Sequence, residues 1–150
     1  MIALIQRVNE ARVEVEGKVI ASIGCGILAL IGVERGDTEA EAARLAERVL
    51  GYRIFADAAE KMNLSLLDIK GELLAVPQFT LAADTKSGTR AGFSTAAAPG
   101  DGEQLFKIFL EKINLKIKAQ TGRFGAHMQV SLVNDGPVTF WLQASPGKPS

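Results

Sequence analysis

The side chains that could do chemistry in this sequence are few, and that narrows the chemistry. There is one histidine, His127, and one cysteine, Cys25. No carboxylate stands beside His127 in sequence to orient its ring, so a Ser-His-Asp triad has little to run through and His127 reads as a surface or boundary residue. Cys25 lies between Gly24 and Gly26 with nothing nearby to lower its pKa, and reads as a turn or core cysteine. A zinc shell would have to be completed by carboxylates, and no GxGxxG or P-loop sequence is present. Neither a metal nor a cofactor is expected. Asp and Glu are plentiful, but no spacing singles out an acid–base pair.

Two stretches remain. In Gln78-Phe79-Thr80 the Thr80 hydroxyl is a weak nucleophile without a base, suited to orientation or hydrogen bonding, or simply a strand-end threonine. In Asn134-Asp135-Gly136-Pro137, Asp-Gly alone would make a tight turn, yet a proline follows directly, and a Gly-Pro bond can be cis. A site built from these would be chiefly backbone. N–H groups around Gln78–Thr80 would form an oxyanion hole, and the Gly136-Pro137 tip would act as a selector. Such donors accelerate acyl transfer, with the nucleophile or base coming from elsewhere, the substrate included.

The elements that must position these residues follow from pattern. Val130–Val133 and Val138–Leu142 are β-branched and aromatic runs on either side of the turn residues, which predicts a β-hairpin. Ile2–Val8, Ala11–Glu16 and Val19–Ile23 read as strands, and Ile27–Val33 as a buried central strand. Thr38–Tyr52 reads as a helix capped by Thr38 with Glu41 as capping-box partner, burying Ala42, Leu45, Ala46, Val49 and Leu50. Met62–Ile69 is ambiguous. Glu72–Val76 returns to strand and leads into Pro77-Gln78-Phe79-Thr80-Leu81. The irregular segment 82–102 is long enough to be functional or mobile. Asp101 is expected to cap a second helix through Lys116, with Leu105, Phe106, Phe109, Leu110 and Ile113 buried. Its lysines (Lys107, Lys112, Lys116, with Lys118 beyond) make a solvated face or a set of phosphate contacts. Strands first, two separated helices, then closing strands argue for α+β and against a βαβ array.

Composition bounds the rest. The 150 residues fit one domain, with 47% hydrophobic and 23% charged content. The 17 basic and 17 acidic residues cancel, so no global field draws the chain to nucleic acid or membrane, and any such contact must be local. A single cysteine suits a reducing compartment, and the N-terminal apolar run breaks at Gln6 and Arg7, so no signal peptide is expected. The longest apolar run, Ile27–Val33, is too short to span a bilayer. A cytoplasmic protein is expected, with no membrane or DNA partner. The tail 144–150, with two prolines, is expected to be flexible.

Gln78-Phe79-Thr80-Leu81 and Asn134-Asp135-Gly136-Pro137-Val138-Thr139-Phe140 closely resemble the two signatures of D-aminoacyl-tRNA deacylases. The likeness extends through MIALIQRV at the start, RVLGYRIF at 48–55, KMNL at 61–64 and QTGRFGAHMQVSL at 120–132, leaving only the tail after Gln143 outside. It implies a single domain over 1–143 and a homodimeric α+β fold with antiparallel barrel-like sheets, two main helices and an active site at the dimer interface. It further implies hydrolysis of the ester joining a D-amino acid, or glycine, to the 3′ end of tRNA. In the family the Gly-Pro peptide is cis and reaches into the other subunit's pocket, where its carbonyls capture the substrate α-amino group and leave no room for an L side chain. Chemistry there is credited to backbone amides of the first motif and the tRNA's terminal 2′-hydroxyl, or to the motif threonine as nucleophile. By this resemblance Gln78, Phe79 and Thr80 line the scissile ester, Gly136 and Pro137 form the selector, and Arg7 holds that tip. Phe124 and Met128 pack near the terminal adenosine, although each also fits ordinary core. Lys86, Arg90, Arg123 and the late helix lysines are candidate phosphate contacts.

One position departs from the family. Pro77 stands where serine is usual, and removes a hydroxyl and an N–H. If a hydrogen bond through residue 77 serves catalysis, Pro77→Ser should raise turnover, and an equal or lower kcat/KM would count against it. The competing readings are a non-catalytic or weakly active module binding the tRNA end, and a small-molecule ester hydrolase that does not use tRNA.

Overall fold

A computed structural model describes residues 1–147. The framework is set by β1 (Ile2–Val15), the long strand to which three others bind. Its first half lies antiparallel to β3 (Gly26–Gly32) on one side, and its second half to β2 (Lys18–Ile23) on that same side. Along its other edge runs β8 (Gln129–Gln143), from Ile2 opposite Gln143 to Glu14 opposite Gln129. Beyond β3 come β6 (Glu72–Pro77) and the two-residue β7 (Gln120–Thr121), both in parallel register. The sheet of order β2-β1-β3-β6-β7, with β8 also on β1, curls into a nearly closed, barrel-like shape. A separate pair, β4 (Phe55–Ala56) and β5 (Met62–Leu64), completes the strands.

Both faces of β3 are buried, which is why Ile27–Val33 reads as an unbroken apolar run. Ile27, Ala29 and Ile31 face the helices α1 (Glu39–Gly51) and α3 (Pro99–Asn114), packing with Leu45, Val49, Phe109 and Ile113. Leu28 faces the opposite way, into a second cluster with Val8, Val13, Leu74 and Val76. The α+β class stands, and α1 begins at the expected Thr38 cap: Thr38 N donates to Glu41 Oε2 at 2.7 Å and Ala40 N to Thr38 Oγ1 at 3.3 Å.

Several expectations are corrected. Ile2–Val8 and Ala11–Glu16 are one strand, kept in register with β8 by shifts near Val8 that absorb the polar Asn9-Glu10. The 130–142 stretch is no hairpin: both of its runs pair with β1 in the same direction. Gln6 faces Thr139 yet Val8 faces Asn134, so Asp135–Val138, with Gly136 and Pro137 at their centre, form a bulge thrown out of a single strand. The ambiguous 62–69 stretch splits into β5 and a third, short helix α2 (Leu66–Ile69) capped by Ser65 and Asp68. Asp101 is not a cap, because Pro99 starts α3 two residues earlier, its missing N–H suiting the first helical position. The sheet is also mixed, with β3, β6 and β7 parallel. The chain ends meet: the Met1 ammonium lies 2.7 Å from Ala144 O and 2.8 Å from Asp37 Oδ2. Burial raises the Asp37 carboxyl even with that ammonium beside it. Ala144 is fully buried, so the tail expected from 144 begins no earlier than Ser145; residues 148–150 lie outside the described residues. Among the described residues no helix is long and apolar enough to cross a membrane.

Candidate active site

The first motif follows β6. Pro77 is opposite Ile31 in the parallel ladder, and the next bond to β3 comes from Gln78 N to Ile31 O at 2.7 Å. Proline is therefore tolerated, since the ladder draws on its neighbour's N–H. The chain then winds into a 3-10 turn, Phe79–Ala82, with Leu81 N bonded to Gln78 O and Ala83 N to Thr80 O, each at 3.2 Å. The turn packs tightly on β3 because residue 32 is glycine: a Cβ there would sit 2.9 Å from Leu81 Cβ and 3.2 Å from Gln78 O.

A helix leaves its first N–H groups without internal partners. Gln78 makes no side-chain cap bond; its Nε2 donates instead to Thr80 Oγ1 at 2.5 Å. Among the described residues the N–H groups of Phe79 and Thr80 thus have no partner. This corrects the expectation for Gln78, whose N–H is spent on Ile31; the open donor pair is Phe79 and Thr80. No carboxylate or imidazole is hydrogen-bonded to Thr80 among the described residues. His127 is exposed, 3.4 Å from Gln129 Nε2.

Beside Gln78 and Phe79 lies a mostly apolar cavity of about 270 Å³, walled by Ile31, Pro77, Gln78, Phe79, Phe106 and Phe124; Thr80, the next residue, does not line it. Phe124 thus joins the first motif. Met128 does not line that cavity; it packs half-buried against the Val8–Leu74–Val76 cluster, its Sδ 3.4 Å from Arg123 N. Ile31 and Phe106 were legible only as core, and nothing local marks them as cavity wall. Phe93, from the irregular segment, was also missed: its ring lies 5.4 Å from that of Phe79, both largely exposed.

The second motif is built by side chains that close the neck of the bulge. Asn134 Oδ1 accepts from Val138 N at 2.7 Å, and its Nδ2 donates to Thr139 Oγ1 at 3.0 Å. Arg7 Nε donates to Asp135 O at 2.9 Å and its NH1 to Ile54 O at 2.8 Å, tying the tip to the segment before β4. Gly136 has φ +141°, and a Cβ there would lie 2.7 Å from Val138 Cγ2 and 3.2 Å from the Arg7 guanidinium. Only glycine fits. The Gly136–Pro137 peptide is cis, and both residues are exposed. Neither lines the cavity beside Gln78 and Phe79 in the same chain.

The carboxylates whose titration the fold biases lie in caps and turns away from this cavity. Glu41 is held below the usual range chiefly by the Thr38 hydroxyl, and Asp57 and Asp68 by backbone N–H bonds from Lys61 and Ser65. Among the described residues no group of His, Cys, Asp and Glu converges as a metal site requires. Lys86, Arg90, Arg123, Lys107, Lys112, Lys116 and Lys118 are all exposed. The arrangement offers two backbone donors, an apolar slot and a held, exposed tip, and among the described residues no side-chain base is bonded to Thr80.

A family model described as D-Tyr-tRNA(Tyr) deacylase matches residues 4–143. The D-aminoacyl-tRNA deacylase of Thioalkalivibrio sulfidiphilus (strain HL-EbGR7) is 63% identical over 147 residues, covering 97% of this chain and 99% of that one. That of Vibrio cholerae serotype O1 (strain M66-2) is 58% identical over 144 residues, covering 96% and 100%. A solved c-Myc DNA Unwinding Element Binding Protein superimposes with a TM-score of 0.92 at 36% identity, covering 97% of this chain and 99% of its own. A solved probable eukaryotic D-amino acid tRNA deacylase, 17% identical with a TM-score of 0.80 over 95% of this chain and 98% of its own, shares the fold. With both motifs in place and the match running through nearly the whole sequence, the chain belongs to the D-Tyr-tRNA(Tyr) deacylase family.

Proposed function

We propose that this chain hydrolyses the ester of D-aminoacyl-tRNA, and of glycyl-tRNA on the same grounds, releasing the amino acid from the 3′ end, and that it does so as a cytoplasmic homodimer. The observation that carries the reading is the open N–H pair of Phe79 and Thr80, the first of which lines an apolar cavity, with no side-chain base bonded to Thr80 among the described residues. Two preorganised donors suit the oxyanion of ester hydrolysis. The cavity under Phe124 and Phe79 suits the terminal adenine, whose faces stack on aromatic rings. Attack is by water, and the tRNA's own terminal 2′-hydroxyl serves where a protein base would. Thr80 Oγ1, which accepts from Gln78, orients the substrate and is not the nucleophile.

Selection belongs to Gly136 and Pro137, held by Arg7. In its own chain the tip does not line the cavity, so it would act on the cavity of a second copy, its carbonyls meeting the substrate α-amino group. The names of the relatives support the hydrolysis; what supports the role of the tip is the set of side chains at the neck of the bulge, Asn134 and Arg7, which hold it in place. Purified protein is to be incubated with D-Tyr-tRNA and L-Tyr-tRNA. Release of tyrosine from the D form alone is expected, and equal release from both, or from neither, overturns the proposal.

A further inference from the structure

Pro77 ends one ladder while it continues another. Along β6 the backbone amides turn to alternate edges, as in any strand. Glu72 N donates to Cys25 O at 3.1 Å and Gln78 N to Ile31 O at 2.7 Å, so the even-numbered amides face β3. The odd-numbered residues face β7, where Ala75 O accepts from Gly122 N at 2.9 Å. Two residues on, an N–H at position 77 would reach Gly122 O and add one more bond to that ladder. Proline has none to give. Its Cδ, which stands where the hydrogen would be, lies against Gly122 instead: a Cβ built on Gly122 is 3.5 Å from it. Gly122 O accepts from its neighbour's hydroxyl, Thr121 Oγ1, at 2.8 Å, and β7 ends at Thr121.

The segment that follows walls the cavity. Among the described residues the backbone of 123–128 is bonded only within the segment, Ala126 N to Arg123 O at 3.2 Å and Arg123 N to Met128 Sδ at 3.4 Å. Side chains hold it to the rest of the fold. Ala126 and Met128 pack on the Val8–Leu74–Val76 cluster, and the Phe124 ring rests on the first turn of α3, where a Cβ on Gly102 would lie 3.6 Å from it. Phe124 and Gly125 both line the cavity beside Gln78.

We propose that Pro77 is a positioning residue for the RNA 3′ end: by ending the β6–β7 ladder one bond early, it leaves the Phe124 wall of the cavity held by side chains alone and so loosens the grip on the terminal adenosine. The inference rests on the cavity being the seat of that adenosine. A segment tied by one more backbone bond is already ordered when the nucleoside arrives, so less of the binding energy goes into ordering it.

Restoring the N–H tests this. Pro77→Ala supplies it without a hydroxyl and Pro77→Ser with one, and both are expected to act alike. The proline ring is itself a cavity wall, and its loss alone would weaken binding, so tighter binding by either variant comes from the N–H. In hydrogen exchange of the free protein, the amides of 123–128 are expected to exchange at least about threefold more slowly in both variants than in the wild type. The Kd for a single-stranded RNA ending in ACCA is expected to fall about threefold, within what one net hydrogen bond allows. With D-Tyr-tRNA the fall is expected in KM, with kcat unchanged. Unchanged exchange, unchanged or weaker RNA binding, an effect of serine alone, or a rise in kcat in place of the fall in KM overturns the inference. If the wild type does not hydrolyse D-Tyr-tRNA, the activity reading fails, while exchange and RNA binding still decide the role of Pro77.

Discussion

At the scale of single residues, Phe79 is where a backbone group and a side chain can be separated. Proline at 79 removes the N–H while fitting the first position of the turn, and Gln78, at φ −140° and ψ 80°, lies outside the α region that a following proline disfavours. Alanine at 79 keeps the N–H and removes the ring. If the N–H pair stabilises the oxyanion, Phe79→Pro lowers kcat by about 10² to 10³, as loss of one such donor does elsewhere, and Phe79→Ala costs far less. Equal losses in single-turnover hydrolysis of D-Tyr-tRNA would assign the effect to the ring. That residues 78–80 are candidates was legible from the scarcity of bases: one histidine, one cysteine and no paired carboxylates leave little else. Which N–H groups are open was not, because Gln78 spends its own on Ile31, a partner from a distant part of the chain.

At the scale of elements, α1 shows what a sequence reading captures well. Thr38 and Glu41 sit at capping-box spacing ahead of an apolar stripe, and the helix forms there with that stripe buried. Thr38→Ala is predicted to cost about 1 kcal/mol of stability with little effect on hydrolysis, checked by urea unfolding. Its pH dependence has a definite sign. The folded protein holds the Glu41 carboxyl below its ordinary 4.5, chiefly through the Thr38 hydroxyl. That stabilisation is therefore complete above 4.5 and is lost as pH falls through the lower folded value. The gap between wild type and Thr38→Ala should narrow below pH 4.5; a gap that widens on acidification would contradict the cap's role. The 130–142 stretch shows the limit of such a reading. Turn residues between two β-runs look alike whether the runs pair with each other or both with a third strand. Only β1, long enough to flank both, makes Asp135–Val138 a bulge out of one strand. The Asp101 cap failed for a simpler reason, since Pro99 upstream is itself a good helix start.

At the scale of the whole molecule, the tip of one chain does not line that chain's own cavity, and the proposed function joins the two through a second copy. Complementation tests this. Gly136→Ala spoils the tip and Phe79→Pro the donor pair, so each homodimer is inactive. Mixed and refolded together, they yield heterodimers in which one site carries both lesions and the other neither. About a quarter of wild-type activity is expected from equal random mixing in a two-fold dimer; no recovery would mean that each chain works alone. The central claim is that the protein supplies donors and the substrate supplies the base. It is tested most directly by single-turnover hydrolysis of D-Tyr-tRNA ending in adenosine against the same tRNA ending in 2′-deoxyadenosine. The account predicts that the deoxy substrate still binds but is hydrolysed at least about 100-fold more slowly, as loss of a general base implies. Undiminished hydrolysis would contradict it and return the search to a protein base.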